Sequence, residues 1–170
     1  TRYYTGKSSL PSIIGGFSIN SSFKDFDLSV LFNFSFGSYV YDAVYANLMN
    51  GFETAGRQGH PDLEKRWQKP GDITDVPLFM NGQNDFNSES TRFLFKNDYI
   101  RLRGLNFGYN LNQDLIGKLN LEKLRIFFQG DNIFTYQSHQ GIDPEQALSG
   151  LTDNRSHQMR TYSIGVNIKL

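Results

Sequence analysis

Cysteine is absent from the 170 residues, and with it go disulfide frameworks, thiolate metal sites and cysteine nucleophiles. Long apolar runs are absent too. The longest is a few residues, far short of the roughly 20 that a membrane helix needs, so no helical span is expected. Neither sign of charge is in excess, with 17 basic against 17 acidic residues, and the basic ones stand singly rather than beside stacking aromatics. Nucleic acid is therefore not an expected partner. Thr1-Arg2-Tyr3-Tyr4 lacks the basic region and apolar run of a secretory leader. The chain is expected to begin either as a mature cytosolic protein or in the middle of something longer.

What is abundant is aromatic: 15 Phe and nine Tyr against a single Trp, residues that suit strands. Their spacing is informative. From Arg160 to the end, Tyr162, Ile164, Val166, Ile168 and Leu170 alternate with Thr161, Ser163, Gly165, Asn167 and Lys169, the period of two that marks a β-strand with unlike faces. Ile13 to Phe23 carries Phe17, Ile19 and Phe23 on one face. Phe26 to Gly37 carries Leu28, Val30, Phe32, Phe34 and Phe36, and the two-residue break at Lys24-Asp25 makes the pair a hairpin.

A third strand, roughly 92–110, is out of phase with itself. Ile100 and Leu102 are apolar at even positions, Leu105, Phe107 and Tyr109 at odd ones. A β-bulge at Gly104 would put them all on one face. Without it an arginine near mid-membrane would cost about 2 to 4 kcal/mol if that face meets lipid. A fourth strand spans roughly 121–134, in which Phe127 breaks the alternation, and a fifth 160–170. Between strands two and three, residues 38–91 are expected to be a folded insertion containing an amphipathic helix from Tyr41 to Phe52, ended by Gly51 or Gly56, and a short helix at Asp62 to Trp67 behind Pro61. Residues 135–159 form a second long polar loop.

Long and short connections alternate, so an up-and-down sheet gathers the elaborate ones at one end, as outer-membrane barrels do. Aromatics are sorted likewise: Phe36, Tyr39, Phe93, Phe95, Phe134, Tyr136 and Tyr162 near the elaborate end, Phe23, Phe26, Phe107 and Tyr109 near the other. Two such belts suit lipid–water interfaces. The expected fold is thus an all-β, antiparallel up-and-down transmembrane barrel, of which residues 1–170 form a single partial domain. Five strands cannot close, since the smallest membrane barrels need about eight.

Several runs together resemble one family. Pro11-Ser12-Ile13-Ile14-Gly15-Gly16-Phe17, Phe23-Lys24-Asp25-Phe26-Asp27-Leu28-Ser29, Phe36-Gly37-Ser38-Tyr39-Val40-Tyr41-Asp42, Arg66 through Pro77, Tyr99-Ile100-Arg101-Leu102-Arg103-Gly104-Leu105, Gly108-Tyr109-Asn110-Leu111, Gly130-Asp131-Asn132-Ile133-Phe134 and Gly141-Ile142-Asp143-Pro144-Glu145 resemble, in that order, the C-terminal barrel of SusC/RagA-type TonB-dependent transporters of Bacteroidetes. Asp25 stands where that family usually has Gly, and Gly104 where it often has Asn. The resemblance implies the last five strands of a barrel of about 22, with the plug domain and TonB contact outside this chain. It implies energised import of oligosaccharides or peptides through the outer membrane, beneath a SusD-like surface lipoprotein. Ser163, Gly165, Ile168 and Leu170 resemble the signal read by the barrel-assembly machinery. No enzyme activity or cofactor is implied.

Candidate site residues are few. Arg101, Arg103 and Arg125 are expected to face the lumen, meeting substrate or, more often, pairing with acids of the plug. Arg66 and Trp67 offer a sugar-stacking surface or, more often, loop packing. His60, His139 and His157 lack metal-ligand spacing. Asp143, Glu145 and Asp153 are a calcium candidate, though such turns are usually just solvated. Two rival functions remain: a hydrolase using two of Asp72, Asp75, Asp143 and Glu145, and, more strongly, a soluble or surface carbohydrate-binding or adhesive β-domain.

Overall fold

The computed structural model describes residues 3–50, 56, 58–78, 88–117, 121–145, 149–152 and 156–170. Strands β1 (Ile13–Phe23) and β2 (Phe26–Phe36) are followed by β3 (Tyr39–Tyr41), helix α1 (Ala43–Leu48), β4 (Leu94–Lys96), β5 (Tyr99–Asn110), helix α2 (Gln113–Ile116), β6 (Lys123–Gln137) and β7 (Thr161–Lys169). The five long strands form one antiparallel sheet in the order β1-β2-β5-β6-β7, and β3 and β4 form a separate ribbon inside the first long loop. The sheet is open, with β1 and β7 at its edges.

Register joins the apolar positions into continuous rows. Ile19, Val30 and Leu105 align across β1, β2 and β5, and Phe107, Phe128 and Ile164 across β5, β6 and β7. Phe17 stacks on Phe32 at 4.9 Å and Phe26 on Phe107 at 5.7 Å. Among the described residues no second layer covers this face: Ile164 is 80% exposed and Ile168 60%. In water that much contiguous apolar surface would be a liability, whereas against hydrocarbon it is the stable arrangement. The opposite face carries Ser18, Asn20, Asp27, Asn33, Arg101, Asn106, Arg125, Gln129, Ser163 and Asn167, which share register across the five strands.

The phase slip in β5 is a bulge centred on Arg103, one residue before the expected Gly104. Leu102 pairs with Phe32 and Gly104 with Leu31, so Arg103 has no opposite number in β2. On the other side it faces two residues, Asn132 and Ile133, because Leu102 pairs with Phe134 and Gly104 with Asp131. Asn132 takes a left-handed conformation there (φ 54°), which asparagine tolerates better than most side chains. A Cβ at Gly130 would collide with Ile133. The Gly130-Asp131-Asn132 run is therefore the β6 half of the same irregularity.

Phe127, anomalous in sequence, faces the polar side. Its ring lies over Gly165 of β7, where any Cβ would collide with it, and the Arg125 guanidinium sits 5.1 Å from its centroid. Of the terminal residues, Ser163 and Gly165 belong to this polar face and Ile168 to the apolar one, while the exposed Leu170 follows the end of β7.

The insertion after β2 is folded, with a core of Ala46, Met49, Leu63, Val76 and Phe93 edged by Tyr41 and Tyr45. Four boundaries differ from expectation by more than a residue, the fourth long strand running Lys123–Gln137 rather than 121–134. The third long strand begins at Tyr99 rather than at 92, because Asn97-Asp98 breaks it: Gly37 N–H donates to Asp98 Oδ1 at 2.6 Å and Asn97 N–H to the Ser38 carbonyl at 2.9 Å. Helix α1 is shorter than Tyr41 to Phe52, starting behind the Asp42 cap, and Gly51 and Phe52 lie outside the described residues. The turn behind Pro61 is a 3₁₀ helix at Pro61–Lys65. The aromatic belts need a correction as well. Phe93 is wholly buried in the loop core, Phe95 stacks on His139, and Tyr39 lies in β3, so these three leave the lipid belt, while Phe134, Tyr136 and Tyr162 stay exposed on or beside the apolar rows.

Two substitutions check these assignments in the intact receptor. Val30→Arg should destabilise the barrel by about 2 to 4 kcal/mol in bilayer unfolding measurements, while Ser29→Arg, on the other face, should cost much less. Gly165→Val should lower the yield of heat-modifiable folded barrel, and adding Phe127→Ala should recover it. Failure to recover would mean that Gly165 matters for recognition rather than for seating the ring.

Candidate functional site

The bulge delivers Arg101 and Arg103 of β5 to the polar face at the end where the long loops lie. Arg101 is 2% exposed. Its Nε donates to Thr135 Oγ1 of β6 at 3.1 Å and its Nη2 to Asp143 Oδ1 at 3.0 Å. Its Nη1 lies 3.3 Å from Glu145 Oε1, an ion pair without hydrogen-bond geometry. Arg103 Nη1 reaches both Glu145 oxygens at 3.2 Å, with Gln158 Oε1 and Asn132 Oδ1 also within its range. Both arginines thus meet acids of this chain's own second long loop. Asp143 and Glu145 are therefore not simply solvated.

The loop is shaped to present those acids. Gly141 adopts φ 95°, Ile142 is buried behind it, and Asp143 Oδ1 also accepts the Glu145 N–H at 2.9 Å, a local turn that aims both carboxylates the same way. Asp143 Oδ2 accepts the Gln158 N–H at 2.9 Å, tying the far end of the loop to the same side chain. Burial alone would raise the Asp143 carboxyl, but the two backbone N–H donors and the Arg101 guanidinium outweigh it and hold it below the usual carboxylate range.

The two loops also interlock. Tyr41 N–H donates to the Gly150 carbonyl at 2.7 Å and Thr152 N–H to the Tyr41 carbonyl at 3.1 Å. Asp42 caps α1 by accepting from Tyr45 N–H at 2.9 Å, and its Oδ2 contacts His139 Nε2 at 2.8 Å. Burial pushes the Asp42 carboxyl up, yet His139, the Tyr45 N–H and Thr152 together hold it below its ordinary value. Between the loops lies a cleft of about 480 Å³ lined by Tyr45, His60, Asp62, Phe95, His139 and Ile142 among others. Phe95 and His139 stack at 3.9 Å, and Tyr45 meets His60 edge-on at 4.7 Å. Tyr45 donates to Asp62 Oδ2 at 2.9 Å; burial first, and then this carboxylate, push the phenol up to about 12.

The remaining candidates stand apart. Arg125 lies near the short-turn end of the polar face, where Nε donates to Asp27 Oδ1 at 3.0 Å and Nη2 to Asn106 Oδ1 at 2.7 Å, a cross-strand tie over Gly108. Arg66 and Trp67 serve the first loop: Trp67 N–H donates to the Val76 carbonyl at 2.9 Å and Arg66 Nη1 to the Leu63 carbonyl at 3.3 Å. In the same segment Asp72 accepts the Gln68 and Lys69 N–H groups around Gly71 (φ 102°). His60 and His139 share the cleft without sharing a carboxylate, since His60 contacts Asp62. His157 is exposed, and Asp153 lies outside the described residues. Among the described residues no cluster of three or more His, Asp or Glu side chains could hold a metal ion. The cleft itself was not legible in sequence, because its rings, Tyr45, His60, Phe95 and His139, come from four segments of the chain. No local signal marked it, since Phe95 reads by position as part of the third strand and His139 as part of a polar loop.

No protein-family model matches the chain. TonB-dependent receptor P3 of Formosa agariphila is 27% identical over 170 residues, covering 94% of this chain and 16% of the receptor. TonB-dependent receptor P39 of the same organism is 30% identical over 144 residues, covering 83% and 14%. A chain of the RagAB peptide importer in its closed-closed state superposes with a TM-score of 0.81 at 25% identity, over 98% of this chain and 19% of that one. A separate structure of the RagAB peptide transporter gives 0.81 at 26% identity, over 95% and 17%. The present chain therefore spans less than a fifth of the length of the proteins it matches. A sheet greasy on one face and polar on the other, carrying its folded loops at one end and matching these receptors over nearly all of its own length, belongs to the outer membrane as a β-barrel segment of the SusC/RagA-type TonB-dependent receptors of Bacteroidetes.

Proposed function

We propose that this chain is a wall section of an active importer in which a plug, energised through TonB, admits nutrient oligomers too large for passive pores. The observation that carries the reading is the division of the sheet into an uncovered apolar face and a polar face with interlocked loops over one end of it. In this reading the polar face lines the lumen, Arg125 and the Asp27 carboxylate brace the periplasmic half, and the loop body meets a SusD-like surface lipoprotein. The plug and most of the wall come from the rest of the receptor, and the assembly machinery acts on the Ser163 to Leu170 strand. Peptides are the cargo class favoured over oligosaccharides, on the likeness to a peptide importer. A soluble binding domain is disfavoured because it would have to leave the Tyr162 to Ile168 row in water.

The test uses the whole receptor in its own outer membrane. Labelled oligopeptides should accumulate in cells carrying it and fail to accumulate when either the receptor or TonB is deleted. Equal accumulation in the TonB-deleted strain would overturn energised import. Accumulation of labelled oligosaccharides but not of peptides would reassign the cargo.

A further inference from the structure

We propose that Arg101 and Arg103 latch the second long loop at residues 143–145 onto the polar side of the barrel wall, making that part of the loop a fixed rim of the pore rather than a mobile gate. The inference rests on the barrel-wall reading above and adds to it which part of the extracellular end does not move.

Three observations converge. First, the loop is tied down along each of its described stretches rather than at its hinges alone. Ser138 N–H donates to the Asp98 carbonyl and its Oγ to the Lys96 carbonyl. Residues 143–145 meet Arg101 and Arg103, and Asn97 Nδ2 donates to the Pro144 carbonyl at 2.9 Å. Gly150 and Thr152 pair with Tyr41, and Asn132 Nδ2 donates to the Met159 carbonyl at 3.2 Å. Second, the central tie is dry. The side chains of Arg101 and Asp143 are 3% and 7% exposed, so salt screens their attraction little and neither is hydrated while the loop is down. Third, the wall is specially shaped to supply it. Only the extra residue at the bulge lets Arg103 join Arg101 at the polar face while Leu102 and Leu105 keep the apolar one.

The same burial makes the latch breakable in a readable way. A guanidinium left without its carboxylates in a dry site gains hydration only if the loop lifts, so neutralising the loop acids should free the loop instead of merely weakening one contact. Ile142, next to Asp143 in the docked loop, is 7% exposed and reports on whether the loop is down.

The experiment uses the intact receptor in outer-membrane vesicles, with Ile142→Cys as the reporter and the parent receptor as the background for maleimide labelling. In the latched receptor, labelling at 142 should be slow. Asp143→Asn with Glu145→Gln, which leaves every strand residue unchanged, should speed it at least tenfold. Arg101→Asp should do the same, and combining it with Asp143→Arg should restore slow labelling by returning an opposed pair. Fast labelling in the latched receptor, or equal rates with and without the two loop acids, would overturn the latch. All arms are read only on receptor that shows native heat-modifiable mobility, so the loop-acid pair decides the matter even where Arg101→Asp fails to assemble. Labelling needs neither TonB nor cargo. A failed latch therefore leaves the import assay unaffected, and a failed import assay leaves the latch standing.

Discussion

Hydrocarbon offers no hydrogen bonds, and that one constraint orders this chain. Every N–H and C=O at membrane depth must be paired within the protein, since each orphan costs several kcal/mol. A ladder of neighbouring strands does this, and the side chains are then left to satisfy two different solvents, one per face. The rows from Ile13 to Leu170 answer lipid, and those from Ser18 to Asn167 answer water or protein. The edges of β1 and β7 each have one neighbour in the sheet, so the same constraint calls for further strands beside both.

Strict alternation leaves little freedom for placing a charge, because moving one residue along a strand moves its side chain to the opposite face. The bulge at Arg103 is the way out. It inserts one residue relative to β2, β6 answers with two, and the apolar rows on either side resume in phase. Lost ladder bonds are confined to the point where Arg103, Asn132 and the second loop exchange side-chain hydrogen bonds instead. Gly165 plays the reverse part near the chain's end, yielding its volume so that the Phe127 ring can lie among polar neighbours.

The strands were legible because period-two alternation is a local signal, and the hairpin at Lys24-Asp25 was bounded within a residue. The phase slip at Arg103-Gly104 was legible for the same reason, since it is an error in a local pattern. Other features were hidden where tertiary contacts choose between equal local options. Phe93 and Phe95 read as belt aromatics by position, yet the Asn97-Asp98 break turns them into the loop body, and only the partner groups at Gly37 and Ser38 reveal that break. Arg101 and Arg103 were legible as residues of the polar face, but not their partners: Asp143 lies 42 residues away from Arg101, and a carboxylate in a turn-rich loop looks solvated until the loop's course is known.

That pairing bears on how such a wall can carry folded loops without being pulled out of shape. A long loop closes at an entropic cost that grows only slowly with its length, so the harder problem is holding it in one place. Apolar packing cannot serve alone on a polar face, and exposed ion pairs are worth little. Burial changes the balance: with Asp143 accepting from the Arg101 guanidinium, the Glu145 N–H and the Gln158 N–H together, one carboxylate fixes wall, turn and the far end of the loop in a single network. Breaking any member leaves the others desolvated and unmatched. The loop core around Met49 and Phe93 then needs only to be packed against an already positioned neighbour, which it is through Tyr41, Asp42 and His139.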